Sequence, residues 1–436
     1  MKALYYLCIG ITCRASLGLV QTILISDIEE VCTVKTIAIA GTLDSKGAEF
    51  LYVKSVIESL GLKTFTIHSG VFEPMFAPDV SNIEVAEAAG ADIREIAARK
   101  DRSAGTEVLA QGMEKIVPKL YAEGKFDAIM SFGGTGGTSI VTTGMRALPI
   151  GVPKLMVSTV ASGNTAPYVG TSDIIMFPSI VDVSGLNSFS TKIFTNAAHA
   201  VAGMVSFESA PPMDKKPLIA ATMFGVTTPC IDYAREHLER HGYEVLVFHA
   251  TGTGGQTMES LIDAGFIDGV LDLTTTEWCD ELFGGVLAAG PHRLEAAGRC
   301  QVPQVVSTGA LDMVNFGPYD TVPEAYRGRN LYKHNPSVTL MRTTVEENRQ
   351  LGEIIADKLN LSEGPTVLML PLQGVSMLDV EGEAFRGAQE DEMLFNTLRQ
   401  RINREKVELV EMETDINDQT FAVAAADKLM ELMKRK

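Results

Sequence analysis

Phe126-Asp127-Ala128-Ile129-Met130-Ser131-Phe132, followed by Gly133-Gly134-Thr135-Gly136-Gly137-Thr138-Ser139-Ile140, is the stretch on which the reading of this chain turns. The first half is a short apolar run, the pattern of a buried strand. The second half opens with four glycines and two threonines in six residues. No packed element wants that composition, because glycine costs about 0.5–1 kcal/mol relative to alanine inside a helix or strand. A loop wants it when consecutive amides must line a concave nest for an anion. Ser139 to Ala147 then reads as a helix, so the loop lies at a helix N-terminus, where phosphate is favoured. The Gly-Lys-Ser/Thr ending of a Walker A loop is missing, and so is Gly-x-Gly-x-x-Gly. A tight turn without a ligand is the competing reading.

Outward from there the same alternation recurs. Thr36 to Ala40 reads as a strand, Gly41-Thr42-Leu43-Asp44-Ser45-Lys46-Gly47 as its loop, and Ala48 to Leu60 as an amphipathic helix stopped by Gly61. Thr42, Asp44 and Lys46 fall at a strand's carboxyl end, where open α/β sheets take ligands. Lys46 offers a point charge to a phosphate, and Asp44 a carboxylate to Mg²⁺. Pro153 to Thr159 is a further strand, leading into a small-residue loop that contains Ser162, Gly163 and Asn164. Glu208 to Pro217 carries three prolines and flanking charges, the pattern of a linker. The expected division is therefore an extension over 1–34 outside the fold, an N-terminal α/β domain over 35–208, a linker over 209–217 and a C-terminal α/β domain over 218–436.

In the second half, Tyr243 to Phe248 feeds His249-Ala250-Thr251-Gly252-Thr253-Gly254-Gly255 and then a helix, which reads as the strand–glycine-loop–helix arrangement again. Gly252, Gly254 and Gly255 are taken as a second ligand loop. Val305-Val306-Ser307-Thr308 echoes Met156-Val157-Ser158-Thr159. Both halves thus point to Rossmann-like α/β domains with mainly parallel sheets and helices on both faces. Asn315 to Pro336 is rich in Pro and Gly and reads as loop. His249 is either an acid–base group or a structural hydrogen-bonding one. Asp272, Glu277 and Asp280 form an acidic group after a strand, read as a solvated edge in preference to a metal site. Cys279 has no partner histidine at a telling spacing. Asp312 and His334 complete the catalytic candidates, without an assigned role.

Composition bounds the answer. The chain has 436 residues with 46% hydrophobic and 21% charged residues, ordinary for a globular protein, and a formal charge of −18 that argues against nucleic acid as main partner. The six cysteines lack Cys-x-x-Cys or zinc spacing and read as reduced thiols of a cytoplasmic protein. Uncharged runs before Ser26 are split by Arg14 and fall short of the ~20 residues of a membrane span. They carry only a faint secretory pattern. Val34 would make a natural start.

Seven loop motifs in order resemble one family. They are Thr42 to Gly47, Gly133 to Thr138, Val157 to Asn164, Thr222 to Cys230, His249 to Gly255, Gly309 to Gly317, and His334-Asn335-Pro336. The family comprises largely uncharacterised bacterial and fungal proteins related to the N-terminal ATP-binding region of the tomato mosaic virus resistance protein. The resemblance covers residue 36 to the C-terminus. It implies two α/β domains, ATP binding and self-association as a dimer. In the plant protein this region is joined to a TIM-barrel portion resembling phosphoenolpyruvate hydrolases, so a separate barrel protein is an expected partner here; the plant protein's antiviral role is not carried over. Where relatives read Leu-Pro-Glu-Gly-Gly-Val-Ser, this chain has Leu370-Pro371-Leu372-Gln373-Gly374-Val375-Ser376, without the carboxylate. The resulting expectation is an ATP-dependent enzyme acting on a small organic acid. The alternative is a non-catalytic nucleotide-binding protein that engages such a barrel.

Overall fold

A computed structural model describes residues 34–207 and 216–434. The expected extension over 1–34, apart from Val34, and most of the linker over 209–217 lie outside the described residues. The chain divides into two compact units between Glu208 and Ser209.

The N-terminal unit runs β1 (Thr36–Gly41), α1 (Gly47–Ser59), β2 (Lys63–His68), α2 (Asn82–Ala88), α3 (Ile93–Arg99), α4 (Arg102–Ala122), β3 (Ala128–Gly133), α5 (Thr135–Arg146), β4 (Lys154–Ser158), α6 (Ala166–Val169), β5 (Ile175–Pro178) and α7 (Ser190–Ser206). Its five strands lie in the order β2-β1-β3-β4-β5, every pair parallel. Alternation along β1 explains the layers. Ile37 and Ile39 join Phe50, Phe132 and Phe194 under α1 and α7, while Ala38 and Ala40 join Leu109, Met113 and Val141 under α4 and α5. Phe132 stacks on Phe50 at 3.9 Å between ring centroids and meets Phe194 at 4.8 Å, which ties α1, β3 and α7 together.

The C-terminal unit runs β6 (Leu218–Met223), α8 (Thr228–Arg240), β7 (Glu244–His249), α9 (Thr253–Asp263), β8 (Gly269–Thr274), α10 (Glu277–Phe283), α11 (Ala296–Arg299), β9 (Gln304–Gly309), β10 (Met313–Phe316), β11 (Leu331–Asn335), β12 (Val338–Arg342), α12 (Val345–Asn360), β13 (Thr366–Pro371), α13 (Ala388–Arg401), β14 (Val407–Met412) and α14 (Gln419–Lys434). Six strands form a parallel sheet in the order β14-β13-β9-β8-β6-β7. Counted from the first strand of each unit, both sheets follow 2-1-3-4-5, the second with one strand added. The two-domain, mainly parallel α/β reading therefore holds.

Two readings change. The stretch from Asn315 to Pro336 is not all loop, because β10, β11 and β12 pair antiparallel as a small separate sheet. The Gly133 and Gly252 loops are also not equivalent. The first follows the third strand of its unit and the second follows the second strand, so their likeness is compositional. No helix among the described residues is long and apolar enough to cross a membrane.

Phe132→Ala removes the ring shared by α1, β3 and α7. The expected cost is about 3–5 kcal/mol, seen as a lower urea midpoint for the far-UV transition. An unchanged midpoint would contradict this packing.

Candidate functional site

In a sheet of order 2-1-3-4-5 the crevice opens where the order reverses, between the first and third strands. In the N-terminal unit that point is flanked by the loop from β1 to α1 and by the junction of β3 with α5. The glycine loop expected over Gly133 to Thr138 is more helical than its composition indicated. Gly133 ends β3, Gly134 is the N-cap, and Thr135, Gly136, Gly137 and Thr138 make the first turn of α5. Thr138 N–H already bonds Gly134 O at 2.9 Å. No side chain caps α5, and none caps α1, whose N-cap is Lys46. By contrast α2, α3 and α4 are capped by Ser81, Asp92 and Asp101. Of the three long helices of this unit without a side-chain cap, α1, α5 and α7, the first two flank the crevice.

The glycines sharpen the contrast. A Cβ added at Gly136 or Gly137 would meet nothing within 4 Å. Internal packing does not ask for glycine there, although it weakens the helix start. At Gly254 an added Cβ would meet His249 O at 1.8 Å, and at Gly255 it would meet Glu277 Oε2 at 2.2 Å. Those glycines are required by the protein's own atoms.

The junction is braced from β4. Thr138 Oγ1 and Ser158 Oγ are 2.7 Å apart, and Thr159 N–H bonds Gly133 O. Ser162, Gly163 and Asn164 follow as an exposed loop, with Asn164 Oδ1 accepting from Ala166 N–H. On the β1 side Thr42 O accepts from the amides of Ser45 and Lys46. No hydrogen bond or ion pair is found for Lys46 Nζ among the described residues.

Asp44, read in the sequence as a weak metal ligand, is held by the loop after β2. Its Oδ2 accepts from Phe72 N–H at 3.1 Å, and its Oδ1 is enclosed against Gly70 without a partner. This holds Asp44 on the β2 side of β1, whereas the α5 start lies on the β3 side. Among the described residues no group of three His, Cys, Asp or Glu could hold a metal. His68, unremarked in the sequence, supports this edge: its Nδ1 accepts from the amides of Leu43 and Gly70, and its Nε2 donates to Phe72 O.

The C-terminal unit fills its own glycine loop. The amides of Gly252 and Gly255 donate to Glu277 Oε1 at 2.7 and 3.1 Å. Glu277 and Asp272 are 1% and 2% exposed, so the acidic group is not a solvated edge. Arg293, equally buried, grips Asp272 through both terminal nitrogens at 2.5 and 2.7 Å, and Glu277 through Nε at 2.7 Å; Glu259 lies at 3.3 Å. Burial opposes the charge on Arg293, yet Asp272, Glu277 and Glu259 push its pKa well above the ordinary value. Burial in turn raises Glu277 and Glu259. Asp280, the third acid, is pushed up to about 7 by burial and binds the amide and side chain of Asn315. Cys279 is buried, which drives its thiol well above the usual range and makes it a poor nucleophile.

A second buried set surrounds Arg342, which contacts Asp379 at 3.3 Å and Asp391 at 2.9 Å, with Arg386 on Asp391 at 2.6 Å. Asp312 accepts from Ser376 Oγ at 2.8 Å and has an enclosed, unpartnered Oδ1. Burial pushes Asp312 up to about 6 and Asp379 up to about 8. A cleft of about 370 Å³ opens beside this set, lined among others by Arg329, Arg342, Thr343, Thr344 and Arg386. His249 is exposed at the end of β7 with its ring 5.6 Å from Phe224, and His334 is exposed on β11. Asp272, Asp312 and the two histidines do not come together as one catalytic group.

Two family profiles match: the "Uncharacterised protein family (UPF0261)" N-terminal domain over residues 35–210, and its C-terminal domain over 216–433. A UPF0261 protein of Clostridium tetani is 54% identical over 402 residues, covering 92% of this chain and 100% of that protein. The ToMV resistance protein Tm-1(GCR237) of Solanum lycopersicum is 43% identical over 331 residues, which is 74% of this chain but 44% of the tomato protein. Among solved structures, a UDP-GlcNAc 2-epimerase of Methanocaldococcus jannaschii in complex with UDP-GlcNAc and UDP aligns at 10% identity and a TM-score of 0.21, over 63% of this chain and 83% of that one. A likeness so slight carries no argument about ligands.

The buried sets make two expectations. Arg293→Ala leaves three carboxylates uncompensated and should cost about 3–5 kcal/mol. The sole tryptophan, Trp278, lies in the C-terminal core, and its fluorescence in urea reads the loss. The second concerns pH. Asp379 and Asp312 are raised in the folded state above their ordinary 3.8, so the stability they contribute is fully present below about pH 4 and is lost as pH rises through about 6 and 8. The Trp278 midpoint should therefore fall between about pH 5 and about pH 9, and Asp379→Asn should flatten the fall. A midpoint that rises with pH across that window would contradict the assignment.

Proposed function

The chain belongs to the UPF0261 family, whose description names no activity, and we propose from its own geometry that it is a nucleotide-binding protein taking ATP in the N-terminal domain. One observation carries the reading. The helices at the reversal point of this sheet, α1 and α5, begin without side-chain caps, and Gly136 and Gly137 face open space where no part of the protein needs a glycine. Each helix start carries roughly half a positive charge and free amides. Glycine lets a phosphate oxygen come within hydrogen-bonding distance of the backbone. Lys46 adds a full charge beside α1. The resemblance noted in the sequence supports ATP over other phosphate esters. Mg²⁺ would travel with the phosphates.

The reading extends to an ATP-dependent enzyme acting on a small organic acid, placed in the cytoplasm. For the acid the reading points to the cleft beside Arg342, where a carboxylate ligand competes with Glu347, Asp379 and Asp391 for the arginines, and where Glu390 forms part of the wall. A second reading has its own observation. The Gly252 loop, which would have been the second open anion site, is filled by Glu277. That favours a non-catalytic nucleotide-binding protein that engages a TIM-barrel partner related to phosphoenolpyruvate hydrolases. Dimerisation belongs to both readings and rests on the resemblance alone. Turnover separates them: ATP, Mg²⁺ and a panel of carboxylic acids should release ADP or AMP from an enzyme and leave ATP bound and intact on a binder.

Calorimetry on the intact chain tests the common part. Wild type should take up ATP. Gly136→Glu should keep or raise the melting temperature, since a carboxylate suits a helix start, while ATP affinity falls at least about tenfold. Absence of uptake of any nucleotide by the wild type would end the proposal.

A further inference from the structure

Between β5 and α7 the N-terminal domain carries the segment Ser179-Ile180-Val181-Asp182-Val183-Ser184-Gly185-Leu186-Asn187, which the phosphate site does not use. It is pinned at three points. Ser179 N–H donates to Ser158 O at the end of β4, at 3.1 Å. Val183 is 1% exposed and packs with Leu43, Phe50 and Phe132. Gly185 N–H donates to Glu49 Oε1 at 2.5 Å, in the first turn of α1. The segment therefore crosses the carboxyl edge of the sheet from β4 to the start of α1. The β4 end is itself joined to the start of α5 through Ser158 and Thr138. The starts of α1 and α5 are thus both linked to this one rim.

At its near end the rim is built at a cost. Ile180 sits at φ 65°, inside a three-residue turn closed by Val181 N–H on Ser179 O at 2.7 Å, with Ser179 Oγ donating to Val181 O at 2.7 Å. A β-branched residue in the left-handed region is an outlier, and turns of this kind are rare and strained. The strain holds the side chain outward: Ile180 is 69% exposed and Val181 beside it 41%. A single exposed isoleucine is unremarkable. One that is also forced into a conformation suited to glycine or asparagine gains nothing from the folded chain alone, and such strain collects where a ligand is met.

We infer that Ile180, with Val181, is the apolar wall that receives the base of a nucleoside polyphosphate whose phosphates lie at the starts of α1 and α5. Ile180 then determines specificity for a nucleotide over a bare polyphosphate. This rests on the nucleotide reading of the N-terminal site. The flat, apolar face of a base covers the exposed side chain. An inorganic polyphosphate satisfies the same amides without touching it.

The test is calorimetry on the full chain with ATP and with inorganic tripolyphosphate, for wild type, Ile180→Gly and Ile180→Asn. Both replacements suit a positive φ, so both keep the turn. Wild type should bind both ligands, ATP the more tightly. In the variants ATP affinity should fall about five- to tenfold, with tripolyphosphate binding unchanged. Relief of strain should raise the melting temperature of Ile180→Gly by about 2–4 °C. If tripolyphosphate and ATP both bind and the variants hold ATP as wild type does, the wall is disproved and the phosphate site stands. If the variants lose both ligands alike, the role is in shaping the site and the inference is likewise overturned. If wild type binds neither ligand, the phosphate site itself is disproved and the wall with it.

Discussion

A parallel sheet sends every strand's carboxyl end, and the first turn of the helix that follows, to one edge. The unpaired amides gathered there must be met by something. This constraint organises both halves of the chain. In the C-terminal domain the protein meets it from within. Glu277 takes the amides at the start of α9, Asn417 Oδ1 accepts from Cys230 N–H at the start of α8, and Thr344 and Glu347 close a capping box on α12. In the N-terminal domain side chains cap α2, α3 and α4, while α1 and α5, the helices beside the reversal point, start without one. Two sheets of nearly one plan thus spend the same edge in opposite ways.

Filling the edge internally brings charge into the core. Glu277 can reach the glycine amides only because Arg293 neutralises it, and Arg293 is buried only because Asp272 and Glu259 share it. A buried ion pair is weak evidence of stability, since desolvation consumes most of the attraction. What it gives is geometry. Arg293 comes from the loop before α11, Asp272 from β8, Glu277 from α10 and Glu259 from α9, so the guanidinium fixes four pieces of chain to one another. The Arg342 set does the same for β12, α13 and the loop after β13. These groups hold the C-terminal domain in one arrangement more than they stabilise it.

That is also why the site was only half legible in the sequence. The alternation of strand, loop and helix is local, written in period and glycine punctuation, and the fold class followed from it. The loop from Thr42 to Lys46 and the junction at Gly133 were found for the same reason. What fills a glycine loop is not local. Glu277 lies 25 positions from Gly252, and Arg293 lies 21 from Asp272. Without those contacts Gly252 to Gly255 looked open and the acids looked solvated. The antiparallel pairs of β10, β11 and β12 were hidden by the prolines and glycines between them. Ile180 carried no signal at all, because a left-handed backbone leaves no mark on an Ile-Val dipeptide.

The formal charge of −18 sets the last condition on a nucleotide site, because the ligand is itself an anion. Screening limits that repulsion to a Debye length of about 8 Å at physiological salt, so distant carboxylates count for little and the local field decides. At the reversal point that field comes from two helix starts and Lys46, on a scaffold whose nearby acids are already engaged: Glu49 is bound to Gly185 and Asp44 to Phe72. These bonds leave both carboxylates charged but fix where the charge sits, Glu49 against the rim and Asp44 on the β2 side of β1. Fixing both acids against loop amides keeps their charge at set places on this edge in so acidic a chain, and leaves the starts of α1 and α5 with Lys46 as the local positive field.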